Sequence, residues 1–152
     1  MKLKDFDFRI WDKTKEEFLK KEPTLIKIDN ERVIAGRISR FYANTADITD
    51  MFIGNGNDLE IELWTGYFDK KGNKIYENDI IKNEPLEEIY HITRDDTNKM
   101  FKIIMYNEYS NGKFYRRKAE PDISFLKSFK SEKNMEVIGN IHENADLLEV
   151  KE

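Results

Sequence analysis

Glu60-Ile61-Glu62-Leu63-Trp64, then Asp69-Lys70-Lys71-Gly72-Asn73-Lys74, then Ile75-Tyr76-Glu77-Asn78-Asp79-Ile80-Ile81: this stretch reads as strand, turn and strand, and it sets the character of the 152-residue chain. Apolar and charged residues alternate over 60–64 with the period of a half-buried strand. The polar run 69–74 places Gly72 where a hairpin turn most needs positive φ. Residues 75–81 return as a short, irregular strand. It is broken by a second tight turn at Glu77-Asn78-Asp79 before Ile80 and Ile81 re-enter the core.

The same pattern runs outward in both directions. Phe6, Phe8 and Ile10 alternate with Asp7, Arg9 and Trp11, and a polar turn at 12–16 leads to Phe18 and Leu19, which predicts a hairpin over 6–20. Strands are predicted at 24–28 and 33–41, separated by Asp29-Asn30. Residues 44–58, with Gly54, Asn55, Gly56 and Asn57, read as a loop with a helical turn at 47–53. Further strands are predicted at 88–93, 100–106, 113–118 and 135–141, with turns at Asp95-Asp96 and Ser110-Asn111-Gly112. Phe125, Leu126 and Phe129 have helical spacing, with Asp122 as the cap, and Asn144 caps a short amphipathic turn. Gly139 inside a strand marks a bulge or a close backbone contact. Many short strands with frequent turns predict a mainly β, small β-barrel-like fold with one or two short helices. A single domain over 1–152 is expected, with an N-terminal β sub-region 1–43, a loop 44–58 and a C-terminal β region 59–152.

Charged residues make up 37% of the chain, but 26 basic against 30 acidic leaves a net charge of only −4. With 39% hydrophobic and 12% aromatic residues, a chain of this length can build a core without staples. Cysteine is absent, which excludes disulfides, thiolate zinc sites, iron–sulfur centres and a Cys nucleophile, and agrees with a reducing compartment. Acids occupy the N-terminus where a signal peptide needs an apolar region. The longest apolar run, Ile103-Ile104-Met105-Tyr106, is far short of a membrane helix. The expectation is a cytoplasmic chain with no membrane segment.

Three blocks together resemble the YopX family of phage and prophage proteins. Phe8-Arg9-Ile10-Trp11-Asp12 resembles the family's opening "FRAWD". Residues 64–81 are similar to its central "YTGLKDKNGKEIYEGDIV", and residues 136–148 to its terminal "EVIGNIYENPELL". The blocks keep the family order and span almost the whole chain. Asn78 stands where the family has Gly, His142 where it has Tyr, and Ala145 where it has Pro. Asn tolerates positive φ better than any residue but Gly, so the backbone reading at 78 is unchanged. The resemblance implies a mainly β pseudo-barrel with helical elements, self-association and a bacterial host's cytoplasm. It implies no agreed activity. Turn and core account for every residue of the shared blocks.

The chemistry points away from catalysis. None of the serines (39, 110, 124, 128, 131) lies in a Gly-x-Ser-x-Gly elbow. His91 reads as a strand-face side chain, and His142 as a packing residue at a position the family fills with Tyr. Asp69, Glu77 and Asp79, or Asp95-Asp96, would suit a hard cation only if the fold brought them together, and no EF-hand spacing is present. Gly54-Asn55-Gly56 lacks the frame of a phosphate loop. No enzyme activity, cofactor or metal is expected. The leading expectation is an interaction protein for a host or phage protein, with Tyr42, Trp64, Tyr67, Phe68 and Tyr109 as possible anchors. Self-association is expected through Trp64, Tyr67 and Phe68, three aromatics within five residues. The alternative is nucleic-acid binding. Residues 113–133 carry Lys113, Arg116, Arg117, Lys118, Lys127, Lys130 and Lys133 against three acids, with interleaved aromatics. The same charges would also serve as solvated faces and edge-strand guards.

Overall fold

A computed structural model of the chain describes residues 2–19, 24–29, 32–42, 45–54, 59–95, 97–108 and 114–148, with 24–54 given as backbone. It is dominated by strands with two short helices, as the sequence predicts, and divides into two units. One comprises Met1–Phe8 and Glu62–Glu152, the other Arg9–Ile61.

The larger unit is built on an antiparallel sheet of five strands that curls into a half-barrel. Its strands are β8 (Asp79–Asn83), β9 (Glu88–Asp95), β10 (Met100–Glu108), β11 (Phe114–Arg116) and β12 (Met135–Asn140), in the order β11-β10-β9-β8-β12. Side chains in a strand alternate between faces, and here both faces are buried. Ile81, Tyr90, Ile92, Ile103, Met105 and Met135 share one apolar cluster, while their neighbours Ile80, Ile89 and Tyr106 form another. The register enforces the separation: Tyr90 pairs with Ile81 on one side and Met105 on the other, and His91 with Ile80 and Ile104. A one-residue slip would exchange the two sets.

Each face has its own cover. Helix α1 (Ser124–Ser128) drives the fully buried Leu126, with Phe125, onto the first cluster, and Leu147 and Leu148 of the 3-10 turn Ala145–Leu148 pack on the second. The N-cap position falls on Ile123 rather than on the expected Asp122, whose carboxylate instead accepts the Ser124 N–H at 2.9 Å from just ahead of the helix. Helix α2 (Ser131–Asn134) follows after Lys130 reverses the chain at φ +51°. Asn144 departs from its expected role. Its side-chain oxygen reaches back to accept the Asn140 N–H, and Asn140 in turn caps His142 and Glu143. The strand glycine fits both of its readings: the β8–β12 register shifts between Val137 and Gly139, and a Cβ on Gly139 would lie 2.5 Å from Asn144 Oδ1.

The opening stretch forms β6 (Leu59–Phe68) and β7 (Lys74–Tyr76). Their register jumps between the pairs Trp64–Tyr76 and Phe68–Lys74, with Gly66 at φ +89° inside the bulge and the Thr65 hydroxyl donating to Ile75 O. Gly72 (φ +81°) makes the turn, and Asn78 (φ +68°) makes the second one, so both left-handed positions fall where predicted.

In the second unit, β1 (Phe8–Asp12) pairs with β2 (Glu17–Phe18) as the expected hairpin. Asp12 Oδ1 accepts the N–H groups of Thr14 and Lys15, and Trp11 meets Phe18 edge to face at 4.9 Å. Strands β3 (Thr24–Asp29), β4 (Arg32–Tyr42) and β5 (Thr45–Gly54) form an antiparallel meander. The last corrects the part of the expected loop 44–58, with its helical turn at 47–53, that lies within 45–54; residues 44 and 55–58 lie outside the described residues. Asp47 and Asp50 interrupt the apolar pattern of 45–54, and the β4–β5 register shifts around Ile38, so no single period of two runs through the strand. Pairing with the long β4 supplies the order that local sequence lacks.

Candidate functional site

The acids of the turn block are consumed by the fold. Asp69, buried, accepts the N–H groups of Lys71 (3.0 Å), Asn73 (2.8 Å) and Val137 (3.0 Å) and the Asn73 side-chain amide (3.2 Å). Together with the Lys70 N–H on Met135 O (2.8 Å), it fastens the hairpin along the edge of β12. Burial pushes the Asp69 carboxyl up, but these hydrogen bonds outweigh it and hold it below its ordinary value. Asp79 accepts the Tyr76 N–H at 2.8 Å, and Glu77 the Leu63 N–H at 3.4 Å. Among the described residues, no group of three His, Asp or Glu is placed to hold a metal ion.

The histidines are likewise engaged. His91 sits on a face of β9 with Nε2 3.3 Å from Asn78 Oδ1; burial, and then the charge of Arg116, lower it to about 4. His142 packs against a carboxylate rather than taking a purely aromatic role, its Nε2 lying 3.3 Å from Oε1 of the buried Glu62.

The aromatic trio separates. Trp64 donates its indole N–H to Tyr67 O, stacks edge to face with Phe68 at 5.3 Å and carries the Lys74 ammonium 4.7 Å above its ring. Tyr67 packs on the first core cluster, so Phe68 is the exposed member. Tyr42, as a side chain, and Tyr109 lie outside the described residues.

The basic segment separates too. Arg116 pairs with Glu120, and Arg117 donates to Glu88 at 3.0 Å. Lys118, Lys127 and Lys130 are exposed and, among the described residues, bonded to no carboxylate; Lys113 lies outside the described residues. Arg117 nevertheless belongs to a depression of about 480 Å³, whose apolar wall includes Met105, Pro121, Phe125 and Phe129. Lys130 belongs to a neighbouring depression of about 270 Å³ that also contains Pro85 and Asn134. Leu86 and Phe129 border both, at 49% and 41% exposure, and the Phe129 ring stacks on Phe125 at 4.3 Å. The result is a two-lobed groove beside the turn 84–87 and α1, its larger lobe mainly apolar and its smaller one mixed.

A buried polar network supports this groove. The Tyr90 hydroxyl donates to Glu88 Oε2 at 2.5 Å and accepts from Asn83 Nδ2 at 3.1 Å, while Glu88 Oε1 takes Arg117. Burial, then the Glu88 carboxylate, raise the Tyr90 phenol well above its ordinary value. Sequence reasoning missed Leu86 and this network. The signal for Leu86 was present, an apolar side chain in the otherwise polar turn Glu84-Pro85-Leu86-Glu87. Nothing local marks the network, because its members come from β8, β9 and the segment after β11.

These features define a small, strand-dominated protein with a curled sheet packed on both faces. A family model described as "YopX protein" matches residues 7–149, and the chain belongs to the YopX family. The fold is similar to that of protein EF1440 from Enterococcus faecalis, whose crystal structure is 23% identical over 95% of this chain and 98% of that one, with a TM-score of 0.54. No curated protein matches the sequence. Among the described residues, no helix is long and apolar enough to cross a membrane.

Proposed function

We propose that this YopX protein is a non-enzymatic interaction protein, encoded by a phage or prophage and acting in the cytoplasm of the bacterial host, that holds a partner protein in the groove beside α1. The observation that carries this reading is the exposure of Leu86 and Phe129 on the shared rim of a mainly apolar depression and a smaller one of mixed lining. Large exposed apolar side chains beside a concave surface are the usual mark of a binding site. The phage setting follows from the family resemblance. The test is affinity capture from host cells with wild-type protein and with Phe129→Asp. A partner retained by the first and lost by the second supports the reading, and failure to capture any partner overturns it.

A second reading, nucleic-acid binding through 113–133, is favoured by the exposed lysines 118, 127 and 130 and by the exposed Phe129, which directly precedes Lys130. Its phosphate contacts would come mainly from lysine, because both arginines already bind glutamates. Affinity for an oligo-dT strand should then fall steeply with salt. Absence of binding at low salt rejects it.

A further inference from the structure

We propose that the Leu86–Phe129 groove binds a peptide segment that presents one large apolar side chain with an acidic residue close to it, the acid lying toward Lys130. This rests on the interaction-protein reading and names the chemistry of the partner. The larger lobe, about 480 Å³, falls within the roughly 300–1,000 Å³ of sites that enclose organic ligands, and its wall of Met105, Phe125 and Phe129 suits an aliphatic or aromatic anchor.

Charge gives the groove a direction. In the larger lobe every ion is already matched: Arg117 with Glu88, and Glu120 with Arg116 and Lys102. The lobe therefore favours an uncharged anchor, since a charged group there would have to displace an existing pair. In the smaller lobe Lys130 has no carboxylate among the described residues, and Lys127, exposed on α1, lies three residues before it. An acidic residue of the partner would meet an unmatched positive charge at that end. A nucleic-acid strand fits the groove less well. Both guanidinium groups are held by glutamates, and the exposed Glu87 follows Leu86 on the opposite rim.

The experiment is selection of a displayed random dodecapeptide library on the immobilised full chain, followed by fluorescence polarisation with a fluorescein-labelled copy of the most enriched sequence. Enriched peptides should carry Leu, Met, Phe or Trp within about four residues of Asp or Glu, the reach of one helical turn or a short extended segment. Leu86→Ser and Phe129→Ser each alter an exposed side chain, and circular dichroism would verify that the variants fold. Each should weaken the labelled peptide by about 30-fold, the loss typical of an anchor contact. Lys130→Glu should weaken the acidic peptide and strengthen a version in which Lys replaces the acid. The proposal is overturned if no peptide is enriched, if enriched peptides lack the pairing, or if folded variants bind as wild type does. It is also overturned if an oligo-dT strand, and no peptide, depends on Phe129. Should a host protein be captured equally by wild type and by Leu86→Ser with Phe129→Ser, the interaction-protein reading stands and the groove assignment fails.

Discussion

His91 is held close to 4 in the folded chain by burial and by Arg116, against 6.5 for the free side chain. The unfolded chain therefore binds the extra proton first, so stability is fully present above pH 6.5 and declines as pH falls from 6.5 toward 4. Allowing for partial exposure, the loss is on the order of 2 kcal/mol. His91→Gln should flatten this slope, read as the change in urea midpoint between pH 7 and pH 4.5; an unchanged slope would reject the assignment. Asp69 titrates in the other range. Its carboxyl is depressed, so its contribution is present above 3.8 and is lost as pH falls below that value. Asp69→Asn brings an amide NH₂ toward N–H donors and should cost about 2–4 kcal/mol at pH 7, measured by thermal or urea unfolding. At this scale the sequence was informative where Gly or Asn stands at a left-handed position, whereas Glu16, Glu87, Lys99 and Lys130 adopt positive φ without such a mark. Gly72 and Asn78 were legible because few side chains tolerate positive φ. The Glu88–Tyr90–Asn83 network was not, because each of its polar residues is ordinary until the sheet brings it beside the others.

Strand β12 shows how one element depends on a single absent side chain. A methyl group at Gly139 would meet Asn144 Oδ1, which accepts the Asn140 N–H, so Gly139→Ala must displace the side chain that ties Asn144 back to the end of the strand. The expected cost is about 1–3 kcal/mol, seen as a lowered thermal midpoint, and no change in midpoint would mean that Asn144 moves freely. The run 60–64 of β6 could be read from sequence because one repeating period covers it up to the bulge at Gly66. Strand β5 could not. Its pairing with β4 shifts register, and a pattern that changes phase part-way leaves no consistent face to recognise. The groove falls between these cases. Phe125 and Phe129 were visible as a helical pair, but the turn carrying Leu86 reaches them only through the order β9-β8-β12, which no local pattern encodes.

For the molecule as a whole, self-association remains our proposal from the family resemblance, and Phe68 is the natural probe because Tyr67 is committed to the core. Light scattering at micromolar concentration should give a mass above the 18.2 kDa of one chain, and Phe68→Glu should reduce it to that value. A wild-type mass of 18.2 kDa would reject association, and an oligomer that survives the change would place the contact elsewhere. The pairing of Asp7 with the far side of the chain has another consequence. The Trp64 N–H bonds to Asp7 O at 2.9 Å, and the Asp7 carboxylate takes both the Lys74 ammonium at 2.8 Å and the Tyr76 hydroxyl at 2.6 Å. The chain thus leaves the larger unit at Phe8 and rejoins it at Glu62, with its two severed ends already tied a few ångströms apart. In chain order, residues 9–61 are thus an insertion between two neighbouring points of the larger unit, and junctions whose ends lie close together are where excision and exchange can be tried. A protein in which a short glycine linker replaces 9–61 should keep a single cooperative unfolding transition. Loss of that transition would mean that the scaffold cannot stand without its insert.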